Sequence, residues 1–141
     1  MTLRRILLAI LTLGLVGTGT ELLLLDHMEE FTQWAPLLLI AVCLLAIVWY
    51  LLTGVAASLR LIQVLMLASI VAGFAGVYFH YQGSVEFKLE SNRSLAGWPL
   101  FWAAMRSKAP PPLAPGVMVQ LGLVGLAFCY RHPALSREAI Q

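Results

Sequence analysis

Ionisable side chains gather at the end of the first apolar run, where they could bind a cation or carry protons. Glu21 lies inside the run, and four more residues follow it closely: Asp26, His27, Glu29 and Glu30. Charged groups are costly in hydrocarbon and rarely lie there without a role. Imidazole and carboxylate together form a ligand set suited to zinc, iron, copper or manganese.

The spacing of this cluster predicts a metal site. His27 and Glu30 are three residues apart and share one face if the first helix continues past Leu25. His80 ends a later apolar run at similar depth. We therefore predict that His27, Glu30 and His80 bind a divalent cation, with outer acids around them: Asp26, Glu29, Glu86 and Glu90. Two alternatives stay open, a haem held between His27 and His80 and a solvated rim of charges without a ligand.

Glu21 has a second possible role. On a helix it shares a face with Gly14, Gly17 and Thr18. Small residues mark close helix packing in membranes, so we predict that Glu21 faces the bundle at the depth of Gln120 in the last span. A buried carboxyl there would handle protons or cations, or would hydrogen-bond a neighbouring helix.

The composition places these residues in a membrane protein. The chain has 141 residues, of which 60% are hydrophobic and 11% charged, against about 25% charged in an average soluble domain. A net charge of +2 without a basic tract argues against nucleic-acid binding. Cys43 and Cys129 lie in different apolar runs, so we predict buried thiols without a disulfide. No nucleophile–base motif is evident, which favours a protein that is not an enzyme.

The apolar runs predict an all-α bundle of four transmembrane helices forming a single domain. The predicted spans are residues 3–25, 36–53, 59–81 and 116–130, because about 20 apolar residues cross the hydrocarbon. Residues 1–19 also fit a cleaved signal peptide. Basic residues near the span ends predict that both termini are cytoplasmic, in a bacterial inner membrane: Arg4, Arg5, Arg60, Arg131 and Arg137.

A long outer loop, residues 82–115, joins the last two spans. The alternation of Val85, Phe87 and Leu89 with charged residues favours an extended segment, although Glu86 and Glu90 would also share a helical face. Residues 95–105 are rich in Trp, Phe and Leu. We predict that they form a short interfacial helix anchored by Trp98 and Trp102.

Four segments, GTELLLLDH (19–27), QWAPL (33–37), HYQGSVEF (80–87) and LAPG (113–116), resemble a group of short bacterial hypothetical membrane proteins. The resemblance covers most of the chain and implies a membrane class without an activity. A carboxylate in the first of four spans is also similar to the small multidrug-resistance exporters, whose loops are tight and whose glutamate lies mid-membrane.

The patterns together predict an accessory or partner-binding membrane protein whose outer face binds a divalent cation. Its partners would be the lipid bilayer and either a larger membrane complex or further copies of the chain. Two alternatives remain: a proton-coupled transporter that uses Glu21 and works as an oligomer, and a haem- or metal-dependent redox protein.

Overall fold

The computed structural model describes residues 3–26, 33–108 and 111–138, with the backbone alone at 136–138. These residues form six helices in chain order and no strand: α1 (Leu3–Leu24), α2 (Trp34–Thr53), α3 (Ala56–Ser91), α4 (Gly97–Met105), α5 (Gly116–Cys129) and α6 (Pro133–Glu138). Helices suit a lipid-embedded chain because a helix satisfies its own backbone hydrogen bonds where no water is present.

Three of the helices, α1, α2 and α3, are long and apolar enough to cross a membrane. Helix α5 is apolar but has only 14 residues, about 21 Å of helix. Helices α1, α2 and α5 coincide closely with the predicted apolar runs, whereas α3 continues past its predicted run, 59–81. The membrane class predicted from composition agrees with the length and hydropathy of the helices.

Helix α3 corrects one prediction. It has 36 residues and continues to Ser91, so the extended segment predicted around Val85–Glu90 is helical. An isolated extended segment would leave its backbone groups without partners, whereas a helix pairs them internally. The hydroxyl of Ser91 also donates to the Phe87 carbonyl at 3.2 Å, one turn earlier.

Left-handed backbone conformations end three of the helices. Gly54 (φ 64°) follows α2 and donates its N–H to the Tyr50 carbonyl at 2.8 Å, a glycine helix stop. Asp26 (φ 49°) follows α1 and Arg131 (φ 47°) follows α5. Aspartate tolerates this region better than most residues, whereas Arg131 is held there by contacts described below.

The described residues group into two compact units, and the predicted single domain stays a prediction. The first unit runs up to Ile70 and resumes at Gln120. Its core contains Leu11 and Leu15 of α1 with Ile40 and Ile47 of α2.

Two buried glycines, Gly122 and Gly125 of α5, pack on Met66 of α3 in the first unit. Small residues let the two backbones approach closely. The close contact between α3 and α5 therefore depends on the absence of a side chain at Gly122 and Gly125.

The second unit, Val71–Val119, contains the C-terminal part of α3, helix α4 and the start of α5. Gly73 and Gly76 lie against Pro115, which precedes α5. The rings of Trp98 and Phe101 stack with centroids 5.1 Å apart. Trp98 keeps 67% of its surface exposed, so the aromatic face of α4 is open rather than buried.

Candidate functional site

The predicted metal site falls partly outside the described residues. His27, Glu29 and Glu30 lie there, and the remaining members are divided between the units, with Asp26 in the first and His80 in the second. Among the described residues, no group of three or more His, Cys, Asp or Glu side chains could hold a metal ion. A cation or haem bound by His27, Glu30 and His80 therefore stays a prediction.

Glu21 and Gln120 are both exposed, so the prediction that they are buried in the bundle is wrong. The buried face of α1 is formed by Leu11, Leu15 and Gly19, and Gly19 approaches Ile40 of α2. The small-residue face predicted from the spacing is correct in part, because Gly14 packs against Leu121 of α5. Gly17, one turn before Glu21, has open space where a side chain would project.

The exposure of Glu21 also bears on transport. A proton-coupled transporter needs its titrating carboxyl on a path that excludes lipid. In a single copy Glu21 lies on the outer surface of α1. Such a path would have to lie between copies, and the transporter function stays a prediction.

The His80 ring is oriented by the segment that leads into α5. Its Nδ1 lies 3.1 Å from the carbonyl oxygen of Pro111. A carbonyl only accepts, so Nδ1 carries the proton in this contact. This hydrogen bond is the type that orients metal-binding histidines, and any metal on His80 would bind through Nε2.

Glu86 and Glu90 lie one helical turn apart near the end of α3. Together with Leu89 and Arg93 they line an open groove of about 360 Å³. Both carboxylates are exposed, so water solvates them. The groove lies on the surface, and its geometry alone selects no ligand.

A second polar cluster was not predicted. Arg4 of α1, Tyr50 of α2 and His132, just past α5, meet at one end of the first unit. The Arg4 Nη2 donates to the carbonyl oxygens of Arg131 at 2.9 Å and Tyr130 at 3.4 Å. The Arg4 guanidinium thus lies at the C-terminal end of α5, where the helix dipole favours a positive charge. These contacts also hold Arg131 in its left-handed conformation.

The hydrogen bonds of His132 determine its tautomer. The backbone N–H of Ala134 donates to Nδ1 at 3.2 Å, so Nδ1 has no proton. The proton of the neutral ring is then on Nε2, which lies 3.1 Å from the Tyr50 hydroxyl oxygen. His132 donates to Tyr50, and the hydroxyl proton of Tyr50 is left to donate elsewhere.

His132 is expected to make stability depend on pH. Burial first, and the Arg4 charge second, lower its pKa below the ordinary value, which is about 6.5. Between the folded pKa and about 6.5, the unfolded chain binds more protons, so stability is complete above about pH 6.5 and falls as the pH drops toward the folded pKa. Thermal unfolding in neutral detergent from pH 7.5 to 5 should show this loss.

The matched variants for that measurement are His132→Gln and His80→Gln. His132→Gln should reduce the acid sensitivity between pH 7.5 and 5, and His80→Gln should leave most of it. Equal acid sensitivity in wild type and His132→Gln would contradict the assignment.

Both cysteines are buried and free, as predicted. Cys43 Sγ lies 4.0 Å from the Ser69 hydroxyl, and Cys129 Sγ lies 3.9 Å from the Leu59 carbonyl oxygen. Each thiol is thus a packed side chain with one weak polar contact.

Comparison with protein-family models, curated proteins and solved structures yields no match for this chain.

Proposed function

We propose that the protein is an accessory subunit that binds another membrane protein laterally through the exposed face of α1. The observation that carries the proposal is the exposure of Glu21 on a spanning helix. Glu21 follows Arg4 by 17 residues, about 26 Å along a helix. The hydrocarbon is about 30 Å thick, so with Arg4 at one boundary Glu21 lies below the other.

The direction of the side chain supports this depth. Side chains on a helix lean toward its N-terminus, so the Glu21 carboxyl leans back into the membrane. An ionised group exposed to lipid is expensive. A partner that supplies a cation or a hydrogen-bond donor removes that cost.

The neighbours of Glu21 fit a helix-docking face. Leu13 (75% exposed) and Leu24 (79% exposed) lie on the same side of α1, and Gly17 leaves open space between them. Glycine at an exposed position lets a second helix approach closely. A symmetric contact between two α1 helices would bring two Glu21 carboxylates together, which favours a different protein as the partner.

The proposal includes four spans, with α5 as the short fourth, and both termini in the cytoplasm. An inner-membrane orientation with Arg4 and Arg131 on the cytoplasmic side agrees with the positive-inside rule. Helix α4 would then lie at the outer interface, where Trp98 and Trp102, 67% and 44% exposed, are suited to anchor it.

The test is site-specific photo-crosslinking in native membranes. A crosslinking amino acid at Leu13 should give one discrete heavier adduct with a second polypeptide. The same residue at Leu45, 68% exposed on α2, is the lipid-facing control and should give none. Adding Glu21→Leu should reduce the Leu13 adduct about five- to thirtyfold, as expected for loss of about 1–2 kcal/mol of interhelical hydrogen bonding.

The paired acid control is Glu90→Leu, which removes an exposed carboxylate from the end of α3 and should leave the adduct unchanged. Two results would overturn the proposal: equal adducts at positions 13 and 45, or an adduct at position 13 that persists in Glu21→Leu. An adduct of twice the mass of this chain would show that α1 binds a second copy of the same chain, and the protein would then be a homo-oligomer and not an accessory subunit.

A further inference from the structure

The end of the first unit that carries Arg4 and His132 also contains a cleft of about 290 Å³. Arg4 and Arg5 of α1 contribute the charge, and Tyr50 and His132 contribute further polar groups. No carboxylate lines the cleft among the described residues. Its charge therefore favours an anion.

The donors in the cleft are arranged for an acceptor. His132 Nε2–H donates to Tyr50, so the Tyr50 hydroxyl has its own proton to give. The Nε atom of Arg4 is buried and has no hydrogen-bond partner among the described residues. Arg5 is exposed, so its guanidinium is available to a ligand. Phosphate oxygens match such a set of N–H and O–H donors, and arginine binds them with two parallel hydrogen bonds.

The other walls of the cleft are apolar. Leu8 of α1 and Leu51 of α2 line it, and Leu51 is 63% exposed on a helix that can span the membrane. Arg5 lies near the start of α1 and Leu51 near the end of α2, so the polar groups occupy the ends of spanning helices, at headgroup depth. A ligand with a phosphate and an acyl chain fits both walls.

We propose that this cleft binds the phosphate of an anionic phospholipid, with Arg5 and Tyr50 as its donors and the acyl chain along Leu8 and Leu51. A phosphate group bound here would contact the ends of α1 and α2 together. The site uses neither Glu21 nor the exposed face of α1, so it stands independently of the proposed partner.

The experiment compares dioleoyl phosphatidylglycerol with dioleoyl phosphatidylcholine, which has the same acyl chains and no net charge. Each lipid is titrated into the full-length protein in neutral-detergent micelles, and the lipid-bound fraction is read by native mass spectrometry. Phosphatidylglycerol should bind at least about tenfold more tightly. Arg5→Gln should weaken its binding about fivefold, and Tyr50→Phe, which keeps the ring, about two- to tenfold.

Arg131→Gln is the matched control. Arg131 lies at the same end of the unit and carries the same charge, but it does not line the cleft. It should change phosphatidylglycerol binding by less than about twofold, because charge near the surface without contact is screened. Arg5→Gln and Arg131→Gln should unfold at the wild-type temperature in phosphatidylcholine, which separates binding from folding. Tyr50→Phe also removes the acceptor of the His132 hydrogen bond, so its binding is measured well below its own unfolding temperature.

Three results would overturn the proposal. Equal affinity for the two lipids would remove selectivity for an anion. Equal losses of phosphatidylglycerol affinity in Arg5→Gln and Arg131→Gln would show that the lipid is attracted by the positive charge at this end of the protein and not bound in the cleft. Displacement of phosphatidylglycerol by millimolar inorganic phosphate would identify a soluble phosphate as the ligand.

Discussion

Gly122→Ala is expected to lower the free energy of unfolding by about 1–3 kcal/mol, the usual cost of overpacking a core. A methyl group at Gly122 would lie 2.6 Å from Ile70 Cγ1 and 2.7 Å from the backbone oxygen of Met66. The backbone oxygen cannot turn aside as a side chain can, so α3 and α5 must separate. Apolar helices gain little from burial against each other in lipid, and close packing carries their association.

Two glycine variants serve as controls for this result. A methyl group at Gly125 would meet the side chain of Met66, which is flexible and can repack, so Gly125→Ala should cost less than Gly122→Ala. Gly83 of α3 has open space around it, and Gly83→Ala should be neutral or stabilising through helix propensity. The measurement is reversible unfolding in mixed micelles. Equal losses at positions 122 and 125 would contradict the backbone explanation.

The positions of the apolar helices were predictable because they depend on local apolar length. The residues predicted as the span 36–53 form α2, Trp34–Thr53, and those predicted as the span 116–130 form α5, Gly116–Cys129. Whether α5 crosses the membrane stays a prediction, since it has only 14 residues. The C-terminal end of α3 was missed because Val85–Glu90 alternates in polarity. Glu86 and Glu90 are four residues apart and also fit a helix. The sequence alone did not distinguish the two patterns, whereas the structure shows that α3 continues through this segment without a break.

The buried faces and sites were less predictable because they depend on neighbours distant in sequence. Gly14, Gly17 and Gly19 are all small, yet Gly14 packs on Leu121 of α5, Gly19 approaches Ile40 of α2, and Gly17 has open space. Glu21 lies one turn after Gly17 and is exposed with it, which the spacing of small residues did not reveal. The cluster of Arg4, Tyr50 and His132 had one usable signal, since all three lie at span ends on the same predicted side of the membrane. Residue spacing alone could not show that they meet.

Arg4 is the residue of this cluster whose removal should cost most. Its guanidinium donates to two carbonyl oxygens at the end of α5, those of Tyr130 and Arg131. Hydrogen bonds from a charged donor contribute more than neutral ones, and a cation at a helix C-terminus also interacts with the dipole. The Arg4 charge lowers the pKa of His132 as well. One substitution therefore has two independent consequences.

Arg4→Met should lower the free energy of unfolding by about 2 kcal/mol in neutral detergent, and it should raise the pKa of His132 toward its ordinary value. Arg5→Met is the matched control, because Arg5 is exposed on the same turn of α1 and should change stability by less than about 0.5 kcal/mol.

Arg4→Lys keeps the charge without the planar guanidinium, so it should preserve the low His132 pKa more fully than it preserves the stability. Chemical denaturation gives the first quantity, and NMR titration of the His132 ring gives the second. Equal stability of Arg4→Met and Arg5→Met would show that the hydrogen bonds from Arg4 to the end of α5 do not stabilise the protein. An unchanged His132 titration in Arg4→Met would show that the Arg4 charge does not lower the His132 pKa.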